Sequence, residues 1–142
     1  MLQIAKKVGA AVATAMLTFV AQAQVVVIVN PSSSTSTLNA DQVANIYLGK
    51  SNSMPGGGSA VPANLPETSP TRDAFFSKVT GKQSAQVKAI WSRLVFSGKA
   101  APPKEFASTA EVKKFVSSTP DAIGYIEKSA ADSSVKVVLS VD

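Results

Sequence analysis

The chain has no cysteine and no histidine in 142 residues. Without histidine there is no Ser-His-Asp triad; without either residue there is no thiol nucleophile and no zinc finger. An exported protein of this composition must stand without disulfides. Aromatic residues are sparse, at 6% with a single Trp, and the formal net charge is only +5. No basic run occurs, and Lys113-Lys114 is the sole basic pair beyond residue 23, which argues against nucleic acid as a partner. Asp41, Glu67, Asp73 and Glu105 show no paired spacing on one element. General acid–base chemistry therefore has no sequence support, and the chain is expected to be a non-enzyme without a cofactor or metal.

What is present begins with a processing pattern. Lys6 and Lys7 precede an uncharged, mainly apolar run over residues 8–20, and Ala21-Gln22-Ala23 follows as an A-x-A cleavage site. This is the layout of a secretory signal peptide. The run of 13 residues is too short to favour a permanent span. No cysteine follows it for lipid attachment. The expected organisation is a signal peptide over residues 1–23 and one domain over 24–142, with no membrane insertion after cleavage. Without Lys6 and Lys7 the 14 basic residues become 12 against 9 acidic, a net charge of +3 that suits a small anion. The 119 residues from Gln24 onward fit a single modest core.

Val25-Val26-Val27-Ile28-Val29 is a β-branched run expected to be buried on both faces of a sheet. Asn30-Pro31 ends it, and residues 32–37 form a Ser/Thr loop. Asn39 and Gln42 make a capping box, Val43, Ile46 and Tyr47 an apolar stripe, and Gly49 a terminator. The Gly56-Gly57-Gly58 cluster is read as a turn, since it lacks the lysine of a nucleotide loop. A short strand is expected over residues 60–64, with Pro62 at an edge or end. A helix from Ser69 to near Gly81 buries Phe75, Phe76 and Val79. Ser84 is expected to cap the next helix, which carries Val87, Ile90, Trp91, Leu94 and Val95 along one side. Ser108 and Glu111 open another helix, ending before Pro120. Strands over 122–126 and 135–141 complete an α/β, mixed α+β domain, a small sheet flanked by helices. Tyr125 is expected in the core with its hydroxyl reaching the surface.

The segment Glu67-Thr68-Ser69-Pro70-Thr71-Arg72-Asp73 carries the most chemistry. Ser69 is a good N-cap and Pro70 suits the first helical position. Thr71 adds a hydroxyl and Arg72 a planar cationic fork to a helix start whose N–H groups are free, the ingredients of an oxyanion site. Capping alone also accounts for Ser69 and Thr71, and Asp73 and Glu67 compete for Arg72 as salt-bridge partners. Ser32 and Ser33 follow a strand end, where open α/β sheets place ligands, or form a plain linker. The five candidate anion contacts are Ser69, Thr71, Arg72, Ser32 and Ser33. Arg93, between Trp91 and Phe96, is read as stacking or structural.

Three segments in order carry a resemblance. Val27-Ile28-Val29-Asn30-Pro31 leads through Leu38-Asn39-Ala40-Asp41-Gln42-Val43-Ala44-Asn45-Ile46-Tyr47-Leu48-Gly49-Lys50; Ser69 opens a Ser/Thr-rich helix start; Pro120-Asp121-Ala122-Ile123-Gly124-Tyr125-Ile126 follows. Together they resemble the periplasmic phosphate-binding proteins of ABC-type phosphate uptake, in their short members. The resemblance implies one lobe of a type II periplasmic binding protein, a periplasmic location, phosphate or a related oxyanion as ligand, and a transporter permease or second protein lobe as partner. Pro70 stands where the family has a glycine, and the family's upstream arginine has no counterpart in Leu65-Pro66-Glu67-Thr68. These departures predict weak binding, about millimolar to micromolar. The alternative is a non-catalytic interaction module of the cell envelope that has lost anion binding.

Overall fold

A computed structural model describes residues 24–141; the expected signal peptide lies outside the described residues. Five strands form one sheet in the order β3-β2-β4-β1-β5. They are β1 (Val25–Val29), β2 (Val61–Asn64), β3 (Lys104–Glu105), β4 (Ala122–Glu127) and β5 (Lys136–Val141). Strands β2, β3 and β4 run parallel, whereas β1 is antiparallel to both β4 and β5. The helices are α1 (Ala40–Tyr47), α2 (Pro70–Thr80), α3 (Ser84–Phe96) and α4 (Thr109–Ser118). The chain is thus α/β, a small open sheet covered by helices.

Central strand β1 is buried along its whole length, as its unbroken β-branched run requires. Consecutive residues of β4 then sort the helices between the two faces. Gly124 faces α4, where Val112 and Val116 come so close that a Cβ would lie 2.9 Å from one and 3.1 Å from the other. Tyr125 points to the opposite face and stacks on Phe75 of α2, with centroids 3.9 Å apart. Tyr47 of α1 meets Phe75 edge-on at 4.9 Å, which places α1 and α2 on the same side. These rings and Phe76 are the largest fully buried side chains of the core.

Local chemistry sets the helix ends. Asn39 and Gln42 cap α1 reciprocally at 2.8 and 2.9 Å. Ser69 caps α2, Pro70 is its first residue, and Gly81 closes it at φ +68°. Pro62 sits where β2 pairs with β4 on one side only, because β3 covers just Ala63 and Asn64.

Several expectations are corrected. The cap of α3 is Gln83, whose N–H bonds the Gln86 side chain at 2.9 Å, and the Ser84 hydroxyl is buried without a partner. Along that helix's apolar side Val87 is buried, Ile90 and Trp91 pack partly against the core, and Val95 is exposed. Tyr125 does not send its hydroxyl to the surface. It donates to Asn64 Oδ1 and accepts from the Leu65 N–H at 3.1 Å, both within the fold. Strand β3 was not expected at all.

Candidate functional site

Strand polarity creates the site. The carboxyl ends of β2, β3 and β4 lie together at one end of the sheet, with the starts of α2 and α4 beside them. Asn64, Glu105 and Glu127 terminate these three strands. In open α/β sheets this end is where ligands bind.

Two helix starts converge there on one carboxylate. Thr71, in the first turn of α2, donates its hydroxyl to Glu127 Oε1 at 2.8 Å. Thr109, the first residue of α4, donates to Glu127 Oε2 at 2.7 Å. Partial burial pushes the Glu127 carboxyl up, but the hydrogen bonds from Thr109, Thr71 and a backbone N–H outweigh it and hold the group below its ordinary value. A negative oxygen group at this spot is what two helix dipoles and two hydroxyls stabilise.

Ser69 behaves as a cap: its Oγ accepts from the Arg72 N–H at 3.3 Å, and its carbonyl from Asp73 N–H. With Pro70 lacking a donor, the Thr71 N–H is the first-turn donor left without a protein acceptor among the described residues. Arg72 pairs with neither Asp73 nor Glu67. It is 4% exposed, with its guanidinium 5.5 Å from the Phe76 ring centroid. Its Nη1 donates to the Leu65 carbonyl at 2.7 Å and lies 3.6 Å from Glu105 Oε2, and its Nε has no partner. Glu67 pairs instead with Lys88 at 2.7 Å on the surface.

Ser32 and Ser33 lie at the other end of the sheet. β1 is antiparallel to β2 and β4, so its carboxyl end sits beside their starts, at Ala122 and Val61. Ser32 folds back on Asn30, with both its N–H and its hydroxyl on Asn30 Oδ1 at 2.9 and 2.7 Å. The Ser33 carbonyl accepts from Lys136 Nζ. Both residues close a turn, separated from Ser69 by the length of a strand. Ser69, Thr71 and Arg72 are therefore brought together, and Ser32 and Ser33 are not. Arg93 is exposed on α3.

Residues the sequence did not single out are Glu127, Thr109 and Asn64. Each is a lone polar residue at an element end, and only its position after a strand or before a helix hints at a role. Among the described residues no group of three or more acidic, His or Cys side chains could hold a metal ion, and no helix is long and apolar enough to cross a membrane.

Similar architectures exist among solved structures. A phosphate ABC transporter substrate-binding protein from Clostridium perfringens, with bound phosphate, superposes with a TM-score of 0.67 at 25% identity, over 81% of this chain and 44% of its own. The fold is that of the phosphate ABC transporter substrate-binding proteins. An ABC-type phosphate transport receptor from Vibrio cholerae matches with a TM-score of 0.64 at 19% identity, over 81% of this chain and 45% of its own. PstS from Borrelia burgdorferi does so at 0.64 and 16%, over 81% and 46%. The chain thus spans less than half the length of these neighbours. No family model and no curated protein matches the sequence.

Proposed function

We propose that this chain is a periplasmic, non-enzymatic solute-binding-like protein that takes phosphate or a related oxyanion weakly, in or derived from ABC-type phosphate uptake. The observation that carries this reading is the pair of hydroxyls at two helix starts, Thr71 and Thr109, already aimed at one negative group. An oxyanion at the same strand ends would use the free Thr71 N–H, the Thr71 hydroxyl and the Arg72 guanidinium, with Ser69 shaping the turn. Each charge-assisted bond contributes about 1.5–3 kcal/mol. The likeness to substrate-binding proteins supports a binding rather than a catalytic role, and its uptake partner would be a permease or a second lobe.

Weakness follows from the same geometry. Glu127 holds the hydroxyls and repels a second anion, and Pro70 has removed one donor. An affinity between about millimolar and micromolar, −4 to −8 kcal/mol, is expected. Isothermal calorimetry with phosphate, sulfate and phosphonates tests it: a heat of binding abolished by Thr71→Val supports the reading. No heat from any of these anions at about 10 mM overturns it.

A further inference from the structure

A cavity of about 490 Å³ opens beside the strand ends, between α3 and the chain that leads into β3. Its polar end includes Asn64 and Arg72, and its apolar surface comes from Val87, Trp91 and Val95 of α3 with Pro102 and Pro103. Residues 87, 91 and 95 are four apart, so they form one stripe along the helix. The volume lies within the range of about 300–1,000 Å³ typical of sites for small organic molecules. A bare tetrahedral oxyanion would leave most of it empty.

The buried cation at one end has a single long ion pair, with Glu105. Arg72 spends its one hydrogen bond, from Nη1, on the neutral Leu65 carbonyl. Its Nε is unpartnered, and the nearest carboxylate, on Glu105, stands 3.6 Å away on a side chain that is 55% exposed. A buried charge held this loosely favours an anionic partner. Glu67 and Lys88 at the rim satisfy each other, so they neither supply that partner nor block it. Glu105 also lines the cavity, on its solvent side.

The other end is apolar and partly rigid. Trp91 is fixed by its Nε1 donating to the Tyr47 carbonyl at 2.7 Å, so its ring is a set wall. Phe96, which also lines the cavity, is 95% exposed. Apolar surface of this kind beside a guanidinium is suited to a molecule that is charged at one end and apolar at the other.

We infer that the oxyanion bound by this chain is carried on an apolar organic body: an aryl or alkyl phosphate or phosphonate. Its headgroup meets Arg72, and its body lies along Val87, Trp91 and Val95. This rests on the oxyanion reading above and names its ligand class.

The chain contains a single Trp, at 91, so its fluorescence reports on the cavity directly. Phenyl phosphate, inorganic phosphate and phenol are titrated into the full chain by fluorescence and calorimetry. Phenyl phosphate is expected to bind about ten-fold tighter than inorganic phosphate or more, equivalent to burying about two methylene groups, and to shift Trp91 emission. Val95→Asn, a neutral polar change at an exposed position whose fold is checked by circular dichroism, is expected to lose most of the phenyl phosphate advantage. Equal affinity for phenyl phosphate and inorganic phosphate overturns the inference while the oxyanion reading stands. Phenol binding as tightly as phenyl phosphate also overturns it, since the headgroup would then not be read. Absence of binding by all three overturns both.

Discussion

Thr71 and Glu127 join the first turn of α2 to the last residue of β4, hydroxyl to carboxylate at 2.8 Å. The second oxygen of Glu127 takes the Thr109 hydroxyl, so one side chain ties two helix starts to the sheet. The contact is both a structural tie and a competitor for an incoming anion.

Its pH dependence has a definite sign. Glu127 titrates below its ordinary value of 4.5 when folded, so its contribution is fully present above that value. It is lost as the pH falls through the lower, folded value. Urea unfolding followed from pH 7 to pH 3 is expected to show wild-type stability falling more steeply below 4.5 than that of Glu127→Gln. Identical slopes would show that the hydroxyl bonds do not favour the charged form. At pH 7, Glu127→Ala is expected to cost about 1–2 kcal/mol, a discounted figure for two charge-assisted bonds to a partly hydrated carboxylate.

Removing the competitor should help the ligand. Calorimetry on Glu127→Gln is expected to show phosphate bound about three- to ten-fold tighter than by the wild type, because one repelling charge near the helix starts is gone. An unchanged or weaker affinity would place the anion away from Thr71.

Arg72→Met tests the buried guanidinium. Loss of the Nη1 donor leaves the Leu65 carbonyl without that bond, an expected cost of about 1–3 kcal/mol by chemical denaturation. The same variant should lose the heat of anion binding. Retained binding would remove Arg72 from the site.

Gly124→Ala tests the opposite face of the sheet. The new methyl would press on Val112 and Val116 of α4, 2.9 and 3.1 Å away, and cost about 1–3 kcal/mol in thermal unfolding. Val112→Ala in the same chain should relieve the clash, so the double variant is expected to be more stable than the sum of the single changes. Strict additivity would mean that α4 moves away freely.

Tyr125→Phe deletes a buried hydroxyl that donates to Asn64 and accepts from Leu65 N–H. The Leu65 N–H keeps its second acceptor, Asn64 Oδ1 at 3.0 Å, so the loss falls mainly on Asn64. A cost of about 1–3 kcal/mol is expected from the denaturant midpoint, and a neutral effect would show that Asn64 finds another donor.

Elements governed by neighbours in sequence were legible in advance. The run 25–29, the Asn39–Gln42 box, the Ser69-Pro70 start and the Gly81 stop depend on residues three or four positions apart, and each forms as expected. Strand β3 was not legible, because Lys104-Glu105 has neither length nor apolar pattern and exists only as an addition to β2. Sequence proximity offers Asp73 and Glu67 as partners for Arg72. The fold instead buries it over Phe76 against the Leu65 carbonyl.

By itself the sequence determined the α/β class, most helix ends, the residues of the aromatic core and the absence of thiol and imidazole chemistry. These follow from short-range periodicity, capping and composition. Only the tertiary structure decided what shares a site. The reversed direction of β1 sends Ser32 and Ser33 away from Ser69, while the parallel run of β2, β3 and β4 gathers Asn64, Glu105 and Glu127 beside Thr71, Thr109 and Arg72. Strand direction is set by long-range pairing, which no local pattern in the chain encodes.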